Sequence, residues 1–236
     1  MQRLKQNVSD LLGLSLSSEQ MEAFERYARE LALWNQRINL TAISDPDEVQ
    51  SKHFLDSLSC WLALRGSDVD RVIDVGSGAG FPGLALKILH PQMHLTLVES
   101  VSKKAAFLEH MVQVLGLQGV EMLNERVEDL GQAVEHRESY DWALARALAP
   151  MPTLAEYLLP LVRVGGFMLA QKGPAALSEV KEAERVIALL GGGETRLMNV
   201  ELPELDEKRT LVITEKKSPT PEKYPRRVGL PAKRPL

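Results

Sequence analysis

Three glycines at alternate positions follow an apolar, β-branched run in this 236-residue chain, and they constrain its fold more than any other feature. The run covers residues 71–75, the glycines are Gly76, Gly78 and Gly80, and Pro82 opens a helical pattern. A strand, a tight loop and a helix start are typical of an open α/β sheet that presents its backbone to a nucleotide-like ligand. Glycine adopts positive φ without steric cost and lets a ligand approach the main chain.

The next strand-like run, residues 94–99, ends at an acid, Glu99. A carboxylate at this place can accept hydrogen bonds from both hydroxyls of a ribose. The glycine loop and this acid together predict that the chain binds an adenosine-containing cofactor.

Which cofactor is bound is decided by features around the loop. Residues 78–83 match GxGxxG, which suits NAD as well, so the match alone is weak. Asp74 lies inside the strand, two residues before Gly76, an arrangement typical of methyltransferases, whose loop packs on the methionine part and holds no pyrophosphate. A short-chain dehydrogenase would need Tyr-x-x-x-Lys, and no tyrosine here has a lysine four residues on. These features favour S-adenosylmethionine.

Strand-like and helix-like patterns alternate from residue 71 onward, which predicts a parallel sheet with helical crossovers. The predicted strands are 71–75, 94–99, 119–123, 140–145 and 164–171, and the predicted helices are 82–90, 102–115, 150–162 and 175–190. Two more strands, about 194–201 and 208–215, are joined by residues 202–207, and so short a connection requires an antiparallel pair. The expected fold is α/β: a class I S-adenosylmethionine-dependent methyltransferase (Rossmann-like) sheet with a terminal antiparallel hairpin and an N-terminal helical extension.

Helical patterns also precede the loop. Ser17 and Ser18 predict a helix start, and Asp45 with Pro46 predicts a second one. The first of these helices has an apolar face expected to be core, formed by Met21, Phe24, Ala28, Leu31 and Trp34. We expect three parts: a helical extension packed on the core (1–66), a methyltransferase domain (67–217) and a basic, proline-rich tail (218–236).

Composition narrows the class of protein further. Hydrophobic content of 44% and charged content of 25% are those of a globular protein, and no apolar run approaches the roughly 20 residues that span a bilayer. One cysteine, Cys60, excludes an internal disulfide and fits a cytoplasmic protein. The histidines do not cluster, so we expect no metal. The tail carries +4 and the rest −8, which suggests either a polyanionic partner or a solvated tail, extended or disordered when free.

Several short motifs occur in one order along the chain. They are residues 39–41, 52–57, 74–83 and 126–128, Arg146-Ala147, Lys172-Gly173 and the final strand. In this combination the chain resembles the family of ribosomal RNA small subunit methyltransferase G, also called glucose-inhibited division protein B, over nearly its whole length. Residues 224–231 resemble an extension that only some members of this family carry. The resemblance implies methyl transfer to N7 of one guanosine of 16S rRNA near the decoding centre.

The residue pattern agrees with such a target. Guanine N7 carries a lone pair and no proton, so no general base is needed. A 5-methylcytosine enzyme needs a cysteine nucleophile, and Cys60 lies upstream in a helix. An enzyme for exocyclic amines usually carries Asn/Asp-Pro-Pro-Tyr after the fourth strand, where residues 145–150 have no such box.

Ligands of doubly wound sheets lie beyond the carboxyl ends of the strands, and this rule selects the candidate site residues. The cofactor candidates are Gly76, Gly78, Gly80 and Phe81 for methionine, Glu99 for ribose, Val127 and Glu128 for adenine, and Arg146 for the cofactor carboxylate. The candidates for positioning the substrate are Arg146 again, Lys172, Arg126 and His53. Each of these side chains also has a purely structural alternative, such as an internal ion pair or a core hydrogen bond.

The expected partner is 16S rRNA within the small ribosomal subunit or a precursor, bound by a monomer without membrane or metal. Three alternatives stay open. One is an S-adenosylmethionine enzyme that acts on a different RNA, a small molecule or a protein. The second is a protein that holds cofactor or RNA without turnover, and the third is a nicotinamide oxidoreductase.

Overall fold

A seven-stranded sheet forms the centre of the molecule, whose computed structural model describes residues 1–203 and 208–236. The strands are β1 (Arg71–Val75), β2 (His94–Val98), β3 (Val120–Leu123), β4 (Tyr140–Arg146), β5 (Val162–Lys172), β6 (Gly192–Val200) and β7 (Arg209–Lys216). Their order is β3-β2-β1-β4-β5-β7-β6. Strands β1 to β5 are parallel, and β7 is antiparallel to β5 and β6. The predicted parallel sheet and terminal hairpin are confirmed, although residues 204–207 of the predicted connection lie outside the described residues.

Helices cover both faces of the sheet. They are α1 (Gln2–Leu12), α2 (Ser18–Asn35), α3 (Pro46–Glu48), a π-helix (Val49–Leu55), α4 (Asp56–Leu58), α5 (Trp61–Leu64), α6 (Gly83–Leu89), α7 (Ser102–Val114), α8 (Val127–Leu130), α9 (Met151–Leu158), α10 (Ala176–Leu189) and α11 (Leu230–Lys233). Successive side chains of a strand point to opposite faces. Val72 therefore shares a buried cluster with Phe24 of α2, whereas Ile73 shares the opposite cluster with Leu154 of α9. No helix among the described residues is long and apolar enough to cross a membrane.

The N-terminal helices join the core on one face of the sheet. Ser17 caps α2 at the predicted helix start and forms reciprocal hydrogen bonds with Gln20, and Phe24 and Leu31 of the predicted stripe are buried. The helix predicted to start at Asp45 runs from α3 through the π-helix into α4. The π-helical geometry was not predicted, because the apolar pattern of seven residues does not distinguish i→i+5 from i→i+4 hydrogen bonding.

The C-terminal tail differs from the free arm that its composition predicts. The carboxylate of Glu156, which is completely buried, accepts hydrogen bonds from the backbone N–H and the guanidinium of Arg226 at 2.7–3.2 Å. Arg137 donates to the carbonyls of Thr220 and Tyr224, both at 2.7 Å. The net charge of the tail does not predict this docking, because the partner of Arg226 is a buried carboxylate on a distant part of the chain, that of Glu156.

Replacing Arg226 by Ala should leave the buried Glu156 carboxylate without its cation. We expect Arg226→Ala to lower the free energy of unfolding by about 3–5 kcal/mol, measured by urea denaturation. Arg227→Ala is the matched control, since Arg227 is exposed, and it should change the value by less than about 0.5 kcal/mol. A loss below about 1 kcal/mol for Arg226→Ala would show that the ion pair does not anchor the tail.

Candidate active site

The glycine loop turns sharply between β1 and α6. Gly76, Gly78 and Gly80 all have positive φ. At Gly76 the reason for glycine is twofold, because a Cβ there would also lie 2.6 Å from a methyl carbon of Leu148. Leu148 itself is brought over the loop by Ala147, whose φ of 52° is rare for a residue other than glycine. The backbone of the glycine loop, without side chains at Gly76, Gly78 and Gly80, therefore lies between the carboxyl ends of β1 and β4.

Glu99 lies directly after β2 and holds this loop from the side. One of its carboxylate oxygens accepts a hydrogen bond from the N–H of Gly78 at 3.0 Å, and the other accepts from the N–H of Val101 at 2.8 Å. Each oxygen of a carboxylate can accept a further hydrogen bond. Glu99 is thus fixed in place with acceptor capacity left on both oxygens, and its role as the ribose ligand stays a prediction.

Asp74 is a second carboxylate beneath the loop and is completely buried. Its Oδ2 accepts a hydrogen bond from the N–H of Gly83 at 2.9 Å, whereas its Oδ1 has no partner among the described residues. Burial raises the pKa of Asp74 to about 7, and the negative charge of Glu99 adds to the shift. A buried acceptor without a partner favours a ligand with positive charge or donor groups nearby.

Arg146 ends β4 in a dense network on the other side of the loop. Its guanidinium donates to Asp56 Oδ2 at 3.0 Å, to the carbonyl of Lys52 at 3.2 Å and to His53 Nδ1 at 3.1 Å. It also lies 5.0 Å from the ring centre of Phe81. Arg146 therefore forms an internal ion pair with Asp56, which is the structural alternative to a role in ligand binding.

His53 is oriented by two neighbours. A guanidinium can only donate, so His53 Nδ1 accepts from Arg146, and Nε2 of the neutral ring donates to Thr41 Oγ1 at 2.7 Å. The ring stacks on Phe81, with centroids 4.7 Å apart. Burial lowers the pKa of His53 to about 4, and the charge of Arg146 adds to this shift. His53 is neutral at physiological pH, and both of its nitrogens already have partners.

The predicted site residues fall into two groups. His53, Arg146 and Lys172 line one cavity of about 350 Å³. Gly76, Arg126, Val127 and Glu128 line a smaller one of about 90 Å³ together with Leu148 and Tyr157. Gly78, Gly80, Phe81 and Glu99 form the loop and its support rather than the wall of either cavity.

Lys172 and Phe81 have surroundings that the sequence did not predict. Lys172 donates to Glu179 and to the carbonyl of Ala149, both at 2.7 Å, and its side chain is only 11% exposed. Phe81 is buried and stacks on the rings of Tyr27 and His53.

Sequence reasoning missed several residues of the 350 Å³ cavity, namely Asp56, Gln171 and Arg209. Asp56 belongs to the motif at residues 52–57 and follows His53 by three residues on the same helical stretch. This spacing places both side chains on one face and could have identified Asp56. No sequence pattern identifies Gln171 or Arg209, because only strand pairing brings β5 and β7 beside the N-terminal helices. Cys60 is buried, and its burial raises the pKa of the thiol, which agrees with a packing role.

A larger cavity, of about 610 Å³, lies away from these residues. Trp142, Phe167 and Arg196 contribute to its wall, and none of the predicted site residues lines it. Trp142 is an early residue of β4, whereas ligands of parallel sheets bind beyond the carboxyl ends. No group of three or more potential metal ligands occurs within residues 1–203 and 208–236.

The strand order, the glycine loop after β1 and the acid after β2 define the fold of this protein as that of class I methyltransferases. Solved structures share the fold: a putative O-methyltransferase from Klebsiella pneumoniae has a TM-score of 0.57 at 12% identity, covering 92% of this chain and 97% of its own. A SAM-dependent O-methyltransferase from Thermotoga maritima has a TM-score of 0.50 at 16% identity, covering 81% of this chain and 73% of its own.

Sequence comparison identifies the family. The family model for rRNA small subunit methyltransferase G matches residues 20–211. A Ribosomal RNA small subunit methyltransferase G from Roseiflexus castenholzii is 54% identical over 95% of both chains. One from Moorella thermoacetica is 52% identical over 95% of this chain and 93% of its own. The chain belongs to the rRNA small subunit methyltransferase G family, as the quoted motifs indicated.

The depressed pKa of His53 makes a prediction about stability. Between pH 6.5 and 4 the unfolded chain binds a proton at this residue and the folded chain does not, so its contribution to stability is lost as the pH falls. His53→Asn keeps an acceptor for Arg146 and does not titrate. We expect the variant to lose less stability than wild type over this range, by up to about 3 kcal/mol.

The measurement is urea unfolding of both proteins at a series of pH values, and the informative quantity is the difference between the two curves. Asp74 acts in the opposite direction, because its raised pKa makes stability fall as the pH rises from about 4 to 7. This contribution is common to both proteins and cancels. Parallel curves would contradict a buried, neutral His53.

Proposed function

We propose that this protein transfers a methyl group from S-adenosylmethionine to N7 of a specific guanosine of 16S rRNA near the decoding centre. The names of its relatives point to small-subunit rRNA as the substrate. The observation that carries the proposal is the position of three buried carboxylates, those of Asp74, Glu99 and Glu128, around the bare backbone of the glycine loop.

These carboxylates suit S-adenosylmethionine better than a dinucleotide. The cofactor carries a positive sulfonium and an ammonium group, which buried acids stabilise, whereas the pyrophosphate of NAD would be repelled. Glu99 would bind the ribose, Val127 and Glu128 the adenine, and the backbone of Gly76, Gly78 and Gly80 the methionine part. When bound, the cofactor supplies an electrophilic methyl group.

The 350 Å³ cavity is the proposed substrate site. Lys52, Arg146, Lys172 and Arg209 contribute cations to its lining, and among the lining residues that the structure describes Asp56 is the one acid. Such a cationic surface favours a polyanion and therefore RNA. We propose that Arg146 positions the target base, that Lys172 lies against the RNA backbone, and that Arg126 extends the contact from the rim of the smaller cavity.

A guanine N7 target fits the titratable groups of this cavity. Attack by N7 releases no proton, so the enzyme acts by holding the two reactants in line. His53 would be the candidate base, but its two nitrogens are engaged by Arg146 and Thr41. We propose that His53 orients Arg146 instead of moving a proton.

The target guanosine must leave its stack for the methyl group to reach it. We propose that the protein acts as a cytoplasmic monomer on small ribosomal subunits or their precursors, where folded RNA presents the target. An S-adenosylmethionine enzyme for a different RNA or a small molecule is the second candidate, and it would leave such particles unlabelled.

The decisive experiment uses methyl-labelled S-adenosylmethionine and small subunits that lack N7-methylguanosine in 16S rRNA. We expect label at one guanosine, mapped by chemical cleavage at N7-methylated positions. Subunits that already carry the modification are the control and should accept no label. Absence of label on subunits, precursors and naked rRNA, with cofactor binding intact, would overturn the substrate and leave the fold in place.

Arg146→Lys tests the positioning role without removing the charge that faces Asp56. We expect kcat/KM for subunit methylation to fall about 100-fold, because a lysine cannot reproduce the planar donor pattern of a guanidinium. The affinity for S-adenosylmethionine should change by less than about threefold, since Arg146 lies in the substrate cavity.

Arg163→Lys is the matched control, because Arg163 forms a similar pair with Asp141, 2.6 Å away, near the amino end of β4. This variant should retain activity. Methylation within about threefold of wild type by Arg146→Lys would refute the role proposed for Arg146, and an equal loss of cofactor affinity would assign the residue to the cofactor.

A further inference from the structure

The C-terminal segment, residues 226–234, lies against the helices that border the smaller cavity. Arg226 binds the buried carboxylate of Glu156 on α9, and the adjacent residue Tyr157 lines this cavity. Thr153 of α9 donates to the carbonyl of Pro231 at 3.3 Å. The segment is therefore attached to α9 on both sides of Gly229.

Gly229 connects this segment to the smaller cavity through a hydrogen bond to Glu128. Its N–H donates to Oε1 of Glu128 at 2.8 Å, and Glu128 is one of the acids that line the smaller cavity. The φ of Gly229 is +77°, which turns the chain into α11 and directs the N–H toward the carboxylate. A residue from the far end of the chain thus completes the surroundings of a proposed cofactor ligand.

The hydrogen bond has a physical consequence for Glu128. Its side chain is almost fully buried, and the donors around a buried carboxylate fix it in one rotamer. Gly229 donates to Oε1, and each oxygen of a carboxylate can accept a further hydrogen bond. Tyr157 lies beside it, and burial together with the charge of Glu128 raises the pKa of the Tyr157 hydroxyl to about 12.

We propose that the backbone of residues 226–234 is a positioning element of the cofactor site, in which the N–H of Gly229 holds Glu128 so that its carboxylate accepts a hydrogen bond from the adenine amino group. This inference rests on the proposed function, because it takes Glu128 as the adenine ligand. It differs from both expectations based on tail charge, a polyanionic partner or a solvated tail, since neither involves the cofactor. Removing the segment should therefore weaken cofactor binding as well.

The test compares chains that differ only in this segment. Deletion of residues 228–236 removes Gly229 and α11 but keeps the pair between Arg226 and Glu156. The charge-matched control is the full-length double variant Lys233→Ala/Arg234→Ala, which loses the same two cations and keeps the backbone. The ligands are S-adenosylmethionine, S-adenosylhomocysteine and the 6-oxo analogue of the latter, S-inosylhomocysteine, each measured by calorimetry.

We expect the deletion to weaken S-adenosylhomocysteine binding about tenfold, as the loss of one hydrogen bond to a charged group would. The preference for adenine over the 6-oxo purine should fall by a similar factor, which a general loss of stability would not produce. The double variant should bind as wild type does. An unchanged affinity after the deletion, or an equal loss in the double variant, would overturn the proposal.

A full-length variant serves if the shortened chain does not fold. Gly229→Ala strains a positive φ, and no atom lies within 4 Å of the added Cβ, so only the backbone at the hydrogen bond is disturbed. We expect about fivefold weaker binding and a reduced preference for adenine. Gly116→Ala, with φ +63° and equally open space after α7, is the matched control, and equal effects of the two would overturn the proposal.

The same titrations keep this inference separate from the proposed function. If wild type binds S-adenosylmethionine but does not label subunits, the proposed substrate fails, and the role of residues 226–234 is still decided by the affinities of the variants. If wild type binds neither S-adenosylmethionine nor S-adenosylhomocysteine, both the proposed cofactor and this role are overturned.

Discussion

The carboxylate of Asp56 joins the N-terminal helices to the carboxyl edge of the sheet, and the geometry of the proposed substrate cavity depends on it. This carboxylate accepts hydrogen bonds from Arg146 of β4 and Arg209 of β7, and Gln171 of β5 donates to the backbone carbonyl of Asp56 at 2.6 Å. A buried acid bound to two cations is costly to disturb. The same interaction therefore fixes the helical extension on the sheet and sets the direction of the arginine proposed to hold the target base.

The glycine loop separates two environments of opposite charge. On the side of the proposed cofactor site lie buried acids, of which Asp74 and Glu99 are held by backbone N–H groups. On the side of the proposed substrate site lie the cations around Arg146 and Lys172. This separation suits a cationic methyl donor that faces a polyanionic RNA. Phe81, which stacks on His53 below Arg146, is the packing contact between the two sides.

The tail illustrates the limit of reading charge from composition. Five cations within residues 218–236 suggested a polyanionic partner, yet Arg226 binds Glu156 inside the protein. The same short segment carries Gly229, whose N–H donates to Glu128. The docked tail is therefore part of the protein's surface next to the smaller cavity, which its charge alone does not reveal.

Local patterns predicted the sheet, the loop and most helix positions. These patterns are the alternating β-branched runs, the glycines Gly76, Gly78 and Gly80, and the helix cap Ser17. Each determines the backbone conformation of only a few neighbouring residues, so its effect can be predicted from the sequence. The acid after β2 was predictable for the same reason, because strand ends in a parallel sheet share one edge. The π-helix was not predictable, since it differs from an α-helix only in the hydrogen-bond step.

By itself, the sequence determined the class of fold, the family and the positions of the cofactor candidates, because those depend on short motifs and their order. Only the tertiary structure decided which side chains meet: that Arg146 contacts His53 and Asp56, that Arg209 lies in the same cavity, and that Gly229 binds Glu128 from 101 residues away. Such contacts depend on strand pairing and on where the tail docks, and neither leaves a periodic signal in the chain.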